Sequence, residues 1–231
     1  MHHVGRQPWD PGESVHDEPD AGPARLDLEK KTLVATERDA NARRQWWADL
    51  AGQDAHQLVF LDETSANVTL TPRSAWAPHD ERAHGRAPRN DDHNTTLVAA
   101  LTPNGLHAPM TLDGAMTSDA FAAYVERFLV PSLRPGQIVI CDNLSVHKRA
   151  DIRALIEAAD CTLIFLPAYS PDFNPIEQAF SKLKTALRRA EARTQEALDA
   201  AIAAALDLIT ATDAAHFFTH VGYDLSAGQP L

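Results

Sequence analysis

Cysteine, aromatic residues, long apolar runs and positive charge are all scarce in this sequence, and each scarcity excludes something. The two cysteines, Cys141 and Cys161, are too few for a disulfide framework or a cysteine-rich zinc site. Each sits in an apolar run, where a buried reduced thiol is expected. No stretch approaches the ~20 apolar residues that span a bilayer, so no membrane contact is expected. Residues 1–25 hold Pro, Gly, Asp and Glu without the apolar segment of a secretory signal, which points to the cytoplasm. Lys and Arg number 21 against 32 Asp and Glu, a net charge of -11. That balance excludes a whole-surface affinity for nucleic acid, because phosphate binding rests on cations that displace counterions. Any contact with nucleic acid must be local.

What is present fits a soluble globular chain. Its 231 residues, 44% of them hydrophobic, suffice for one substantial core. The cations fall into two clusters: Lys182, Lys184, Arg188, Arg189 and Arg193 in one helical segment, and Arg82, Arg86 and Arg89 in one loop. These are candidate phosphate-facing patches, with solvated faces as the plainer alternative.

Three parts are expected along the chain. Residues 1–28 are polar and aperiodic, a disordered or loosely attached lead-in. Residues 29–55 form a helical linker region, with a helix over 36–50 that puts Trp46, Trp47 and Leu50 on its apolar side. Residues 56–231 form the main domain. Strands are expected at 58–61, 68–70 and 96–101, with a long Arg-, His- and Pro-rich loop over 71–94. After the turn signal Pro103-Asn104-Gly105, helix and strand alternate. A helix capped by Ser118 runs to 129, a strand covers 138–141, a helix 148–158 and a strand 162–166, and helices follow at 175–192, 194–208 and 213–218. Three antiparallel strands followed by parallel strands, flanked by helices, make an α/β domain with a mixed central sheet.

Three apolar segments each deliver an acid where the chain leaves the core: Asp62 closes "LVFLD", Asp142 closes "IVICD", and Glu177 lies in the first turn opened by "NPIE". Ligands of open α/β sheets gather beyond the carboxyl ends of strands, so Asp62 and Asp142 share a rim if their strands are neighbours. Three carboxylates on one rim repel and shift one another's pKa, whereas a hard divalent cation takes oxygen ligands readily. Each acid has a plainer alternative. Asp62-Glu63 is an ordinary polar exit from a strand, and Asp142-Asn143 is a common turn pair. Asn174, Pro175 and Glu177 together match a helix capping box.

The strings "YSPDFNPIEQAFSKLK" (169–184), "CDNLSVHK" (141–148) and "FLDET" (60–64) closely resemble the mariner superfamily of DDE transposases, above all its bacterial insertion-sequence branch of the six-thirty type. Residues 143–176, 34 in all, separate the second acid from the third, the interval of that branch. The likeness runs from "KKTLVATERD" near Lys30 to "FFTHVGY" ending at Tyr223. It implies a ribonuclease H-like fold in which Asp62, Asp142 and Glu177 bind Mg²⁺, with Mn²⁺ as substitute. The reaction implied is cleavage at the ends of a transposon, then attack of the freed 3′-hydroxyl on target double-stranded DNA.

Further candidates for DNA contact are argued from position. On the helix after Pro175, Glu177, Ser181, Lys184 and Arg188 share one stripe and Ile176, Phe180, Leu183 and Leu187 another. Lys184 and Arg188 would lead a DNA backbone away from the acids. Asn143, His147 and Lys148 closely follow Asp142 as phosphate contacts or supports of the acids, and Arg86 and Trp76 stand in the long loop. Relatives of this kind place helix-turn-helix modules before the catalytic domain, whereas only residues 1–61 precede the first acid here. The expected partners are therefore DNA, a second copy during synapsis, and an upstream helix-turn-helix product. The competing expectation is a truncated fragment that acts as a subunit or inhibitor of a full-length protein.

Overall fold

Leu58–Ala66 forms the central strand β1, and its alternation divides the molecule into two cores. The computed structural model describes residues 35–88, 93–144 and 147–226, so the expected lead-in at 1–28 lies outside the described residues. These described residues belong to one compact unit. Successive residues of a strand face opposite sides. Leu58 and Phe60 accordingly join one apolar cluster, while Val59 and Leu61 join the other.

Beside β1 lie β2 (Thr95–Thr102) and β3 (Gly105–Asp113) on one side, and β4 (Ile138–Cys141) and β5 (Thr162–Phe165) on the other. The sheet order is β3-β2-β1-β4-β5. β1–β2 and β2–β3 pair antiparallel, and β1–β4 and β4–β5 pair parallel. The expected mixed sheet is present, with one change of membership. The third antiparallel strand is β3, whereas Val68–Leu70 is a turn.

The turn has a local cause. Asn67 Oδ1 accepts from the amide and the hydroxyl of Thr69 at 3.1 and 2.7 Å, an Asx arrangement that competes with strand pairing. The carbonyls of Val68 and Leu70 then accept from the Arg193 guanidinium at 3.0 and 2.9 Å. β3 escapes a pattern reading because it contains Pro109 and a bulge. The β2–β3 register slips between Val98 and Ala100, and Ala108 takes φ 48°. Proline is tolerated there because β3 is an edge strand.

Helices cover both faces. On the Phe60 face pack α1 (Ala40–Leu50), α4 (Ile176–Ala190), α5 (Gln195–Leu206) and α6 (Ala211–Val221), through Trp46, Ile176, Phe180, Leu183, Leu198, Ile202 and Phe218. On the Leu61 face pack α2 (Ser118–Tyr124) and α3 (Ala150–Glu157), through Phe121, Tyr124, Ile152 and Ile156. The helix expected from Ser118 to Leu129 begins with Thr117 as its cap. After Tyr124 it loosens into a wider turn over Val125–Leu129. α1 starts at an Asp39 cap and buries Trp46 in the main core, so the second half of the region expected as a linker packs on the sheet. Among the described residues no single helix is long and apolar enough to cross a membrane. α5 and α6 pass that test only as a bent pair, and their apolar residues are core residues.

Candidate active site

Parallel pairing fixes the first relationship of the site. Leu61 stands opposite Cys141 in the β1–β4 register, so Asp62 and Asp142 follow side by side at the carboxyl end of β4. β1 itself runs on to Ala66, so Asp62 is a residue within a strand rather than its exit. Phe60 and Ile140, two residues earlier on each strand, belong to the core under α4, and Asp62 and Asp142 share that face. The apolar stripe of α4 (Ile176, Ala179, Phe180, Leu183, Leu187) is buried, which holds the first turn of the helix, with exposed Glu177, over the same rim. One cleft of about 380 Å³ is lined by Asp62, Asp142, Asn143, Tyr169, Asn174 and Glu177 among others. The three acids expected to act together are thus brought together.

The capping-box alternative for Glu177 does not hold. α4 has no side-chain cap, and the side chain of Asn174 is used elsewhere: its Nδ2 donates to Asp62 Oδ2 at 2.8 Å. Asn174 is buried, and its Oδ1 has no partner among the described residues. An unmade hydrogen bond of this kind costs about 1–3 kcal/mol. Asn174 is a site residue that local sequence rules assign to a helix cap.

Asp62 Oδ1 accepts from the Glu63 amide at 2.7 Å. Burial raises its pKa to about 7, and the charges of Glu177, Asp142 and Glu63 add to the rise against that backbone hydrogen bond. The carboxylate is therefore partly protonated near neutrality unless a cation compensates.

His147 is buried, at 1% exposure. Its Nδ1 lies 2.5 Å from Asp142 Oδ1 and its Nε2 3.4 Å from Glu63 Oε2, with its ring against Phe121 at 4.3 Å between centroids. Burial alone would lower the imidazole pKa, but the hydrogen bond to Asp142 and the charges of Asp142 and Glu63 raise it to about 9, while the 3.4 Å approach to Glu63 is a charge contact without a hydrogen bond. An enclosed, protonated imidazole between two acids supports Asp142; it has no surface to offer a phosphate. Asn143 lines the acid cleft. Lys148 is exposed, with its Nζ 5.9 Å from the centre of the Phe165 ring.

A second cleft, about 500 Å³, adjoins the first. Glu177 lines both, and Arg73, Ser181, Lys184, Arg188 and Arg189 line the second. The polar stripe of α4 thus leads from the acids into a basic groove. The rest of the expected cationic cluster is committed elsewhere. Lys182 pairs with Asp213 at 2.8 Å, and Arg193 is spent on main-chain carbonyls, whereas neither Lys184 nor Arg188 has an ion-pair partner among the described residues. Trp76 is fully exposed and does not pack its loop onto the sheet. The Arg86 side chain is exposed while its carbonyl accepts from Arg193. Arg89 lies outside the described residues.

Among the described residues no group of three acidic, histidine or cysteine side chains already stands in metal-ligating geometry, and Asp142 is turned toward His147. The donor set nevertheless fits a hard divalent cation. Its members are all carboxylates, they line one open cleft, and burial, with the neighbouring acids adding to it, holds the pKa of Asp62 up.

Acids on adjacent parallel strands, a third in the first turn of α4 and a basic groove beside them lie on a mixed five-stranded sheet of the ribonuclease H-like class. A family profile described as "DDE superfamily endonuclease" matches residues 57–199, and the chain belongs to that family. Solved structures share the fold. "Mos1 transposase paired-end complex with left transposon end" superposes with a TM-score of 0.65 at 16% identity, over 85% of this chain and 63% of that one. "Crystal structure of the mariner Mos1 paired end complex with Mg" gives 0.62 at 16% identity, over 90% and 68%. "Crystal structure of the catalytic domain of Mos1 mariner transposase" gives 0.59 at 15% identity, over 78% and 85%. The chain spans about 63% of the length of the first of these. No curated protein matches it.

Proposed function

We propose that this chain is the catalytic domain of a DNA transposase of the mariner superfamily, bacterial insertion-sequence branch, which cleaves the ends of a mobile element and joins them to target DNA. The observation that carries this reading is the meeting of Asp62, Asp142 and Glu177, from β1, the end of β4 and the first turn of α4, in one cleft. Asp62, Asp142 and Glu177 would hold Mg²⁺ or Mn²⁺, which activates the attacking oxygen of a phosphodiester reaction and stabilises the leaving one. Lys184 and Arg188 bind backbone phosphates along the adjoining groove, and Asn143 and Lys148 flank the entry to the acids. Arg86 and Trp76 meet DNA from the long loop, and His147 holds Asp142 from behind. The Mos1 structures solved on transposon ends and with metal support the same reading by likeness of fold.

Recognition of transposon ends rests on a helix-turn-helix product supplied with this chain, and synapsis on a second copy, in the cytoplasm with the complex held on the nucleoid. A subunit or inhibitor of a longer transposase is the alternative use of the same domain. The test is nicking and strand transfer on a duplex carrying a transposon end, with Mg²⁺ or Mn²⁺, comparing the parent protein with Asp142→Asn. Loss of product in the variant is expected; equal activity would overturn the assignment. Activity that appears only with a helix-turn-helix segment fused upstream would establish dependence on a DNA-reading partner.

A further inference from the structure

The two residues before Asn174 are gripped from outside the site. Arg38 and Arg43 both bind Asp172, the first with Nη2 at 2.6 Å from each carboxylate oxygen, the second at 3.1 and 2.7 Å. Arg43 also lies over the Phe173 ring, 3.7 Å from its centre, and Trp47 meets the same ring edge-on at 5.0 Å. The Phe173 carbonyl accepts from Tyr223 Oη at 2.7 Å, and that oxygen accepts in turn from Trp46 Nε1 at 3.3 Å. Asp172 and Phe173 are therefore fixed by α1, by the residues leading into it and by the segment after α6. Asn174, the next residue, is buried and reaches across to Asp62.

We propose that Asn174 is a positioning residue for Asp62, and that α1 sets its place through Asp172 and Phe173. This rests on Asp62 being one of the acids that do the chemistry. The physical logic is short. The carboxylate oxygen that accepts from Asn174 has its rotation fixed, and a ligand held by an outer hydrogen bond loses less freedom when a cation arrives. An amide donor is neutral, so it steadies the acid without cancelling the charge that a cation needs. A cationic donor in the same place would compete with the metal.

The test uses the full chain with Mn²⁺ alone, by calorimetry at pH 8, together with crystal structures grown without metal. Asn174→Ala is expected to weaken Mn²⁺ binding by about 10-fold or more, as supporting partners of metal ligands do, and to leave the Asp62 side chain rotated. Asp172→Ala, a change at a half-exposed residue, should shift affinity in the same direction with the fold intact. A lower melting temperature in Asn174→Ala, with Mn²⁺ affinity and Asp62 orientation as in the parent, would mean a structural role only and overturn the proposal. Mn²⁺ binding that survives Asp62→Asn unchanged would instead remove Asp62 from the metal site. The crystal structures would still decide whether Asn174 orients it.

Discussion

The imidazole of His147 stands between Asp142 and Glu63, hydrogen-bonded to the first through Nδ1 at 2.5 Å and with Nε2 3.4 Å from the second. Asp62 and Glu63 are consecutive on β1 and face opposite sides of the sheet. The acid cleft is therefore steadied from the far face, through a buried side chain that does not line it. His147→Ala should lower Mn²⁺-dependent nicking by about 10- to 100-fold, the range for partners that orient metal ligands. Steady-state nicking across a Mn²⁺ series would show the loss as a weaker apparent metal affinity. An unchanged series would deny His147 this role.

Stability of the metal-free protein should fall as pH rises through two windows. Asp62 titrates at about 7 in the folded chain against an ordinary 3.8. Between those values the folded state holds a proton that the unfolded state has released, so stability is lost from about pH 4 to 7. His147 is raised from 6.5 to about 9, and the stability it contributes while protonated is present below 6.5 and lost toward 9. Melting curves in a chelating buffer should show both declines, and Asp62→Asn should flatten the lower one. The same lower decline in the variant would remove Asp62 as its source.

Divalent metal should counter the decline. Ligand carboxylates must be ionised to bind, so Mn²⁺ should raise the melting temperature more at pH 8 than at pH 5.5. Glu177→Gln should abolish most of the difference. An equal rise at both pH values would mean that the ion binds elsewhere.

Lys184→Ala and Arg188→Ala should each weaken DNA binding by a similar factor whatever the sequence, as the proposed phosphate contacts of both require. Each should also reduce the slope of log affinity against log salt by about 0.9. Fluorescence anisotropy of a labelled duplex over a salt series measures both quantities. Lys182→Ala, whose ammonium pairs with Asp213, is the control expected to change the slope less.

Tyr223→Phe should destabilise the protein by about 2 kcal/mol in urea unfolding, because the Phe173 carbonyl loses a buried donor. A change below about 0.5 kcal/mol would show that water replaces the hydroxyl.

Much of this was legible in the sequence because it is local. β4, β5 and the apolar stripe of α4 announce themselves through continuous apolar runs and helical spacing, and the three acids stand beside such runs, Asp142 after β4, Asp62 within β1 and Glu177 in the first turn of α4. What stayed hidden depends on partners far along the chain. Asn174 sits where a cap is expected, and only folding brings it to Asp62. Val68–Leu70 has strand composition, yet Asn67 and the distant Arg193 take its hydrogen bonds. β3 was masked by Pro109, which an edge strand accommodates. His147 follows Asp142 in the sequence as a phosphate contact or a support of the acids alike, and only Glu63 and Phe121, from two other segments, enclose it.

Arg193 gives the long β1–β2 connection a mechanical character that composition does not convey. One guanidinium binds the carbonyls of Val68 and Leu70 as the loop departs and that of Arg86 toward its far end. The excursion carrying Trp76 and Arg82 is thereby pinched at its neck and moored to the junction of α4 and α5. The stretch between Leu70 and Arg86 thus has both ends held at one point next to α4, the helix that bears Glu177.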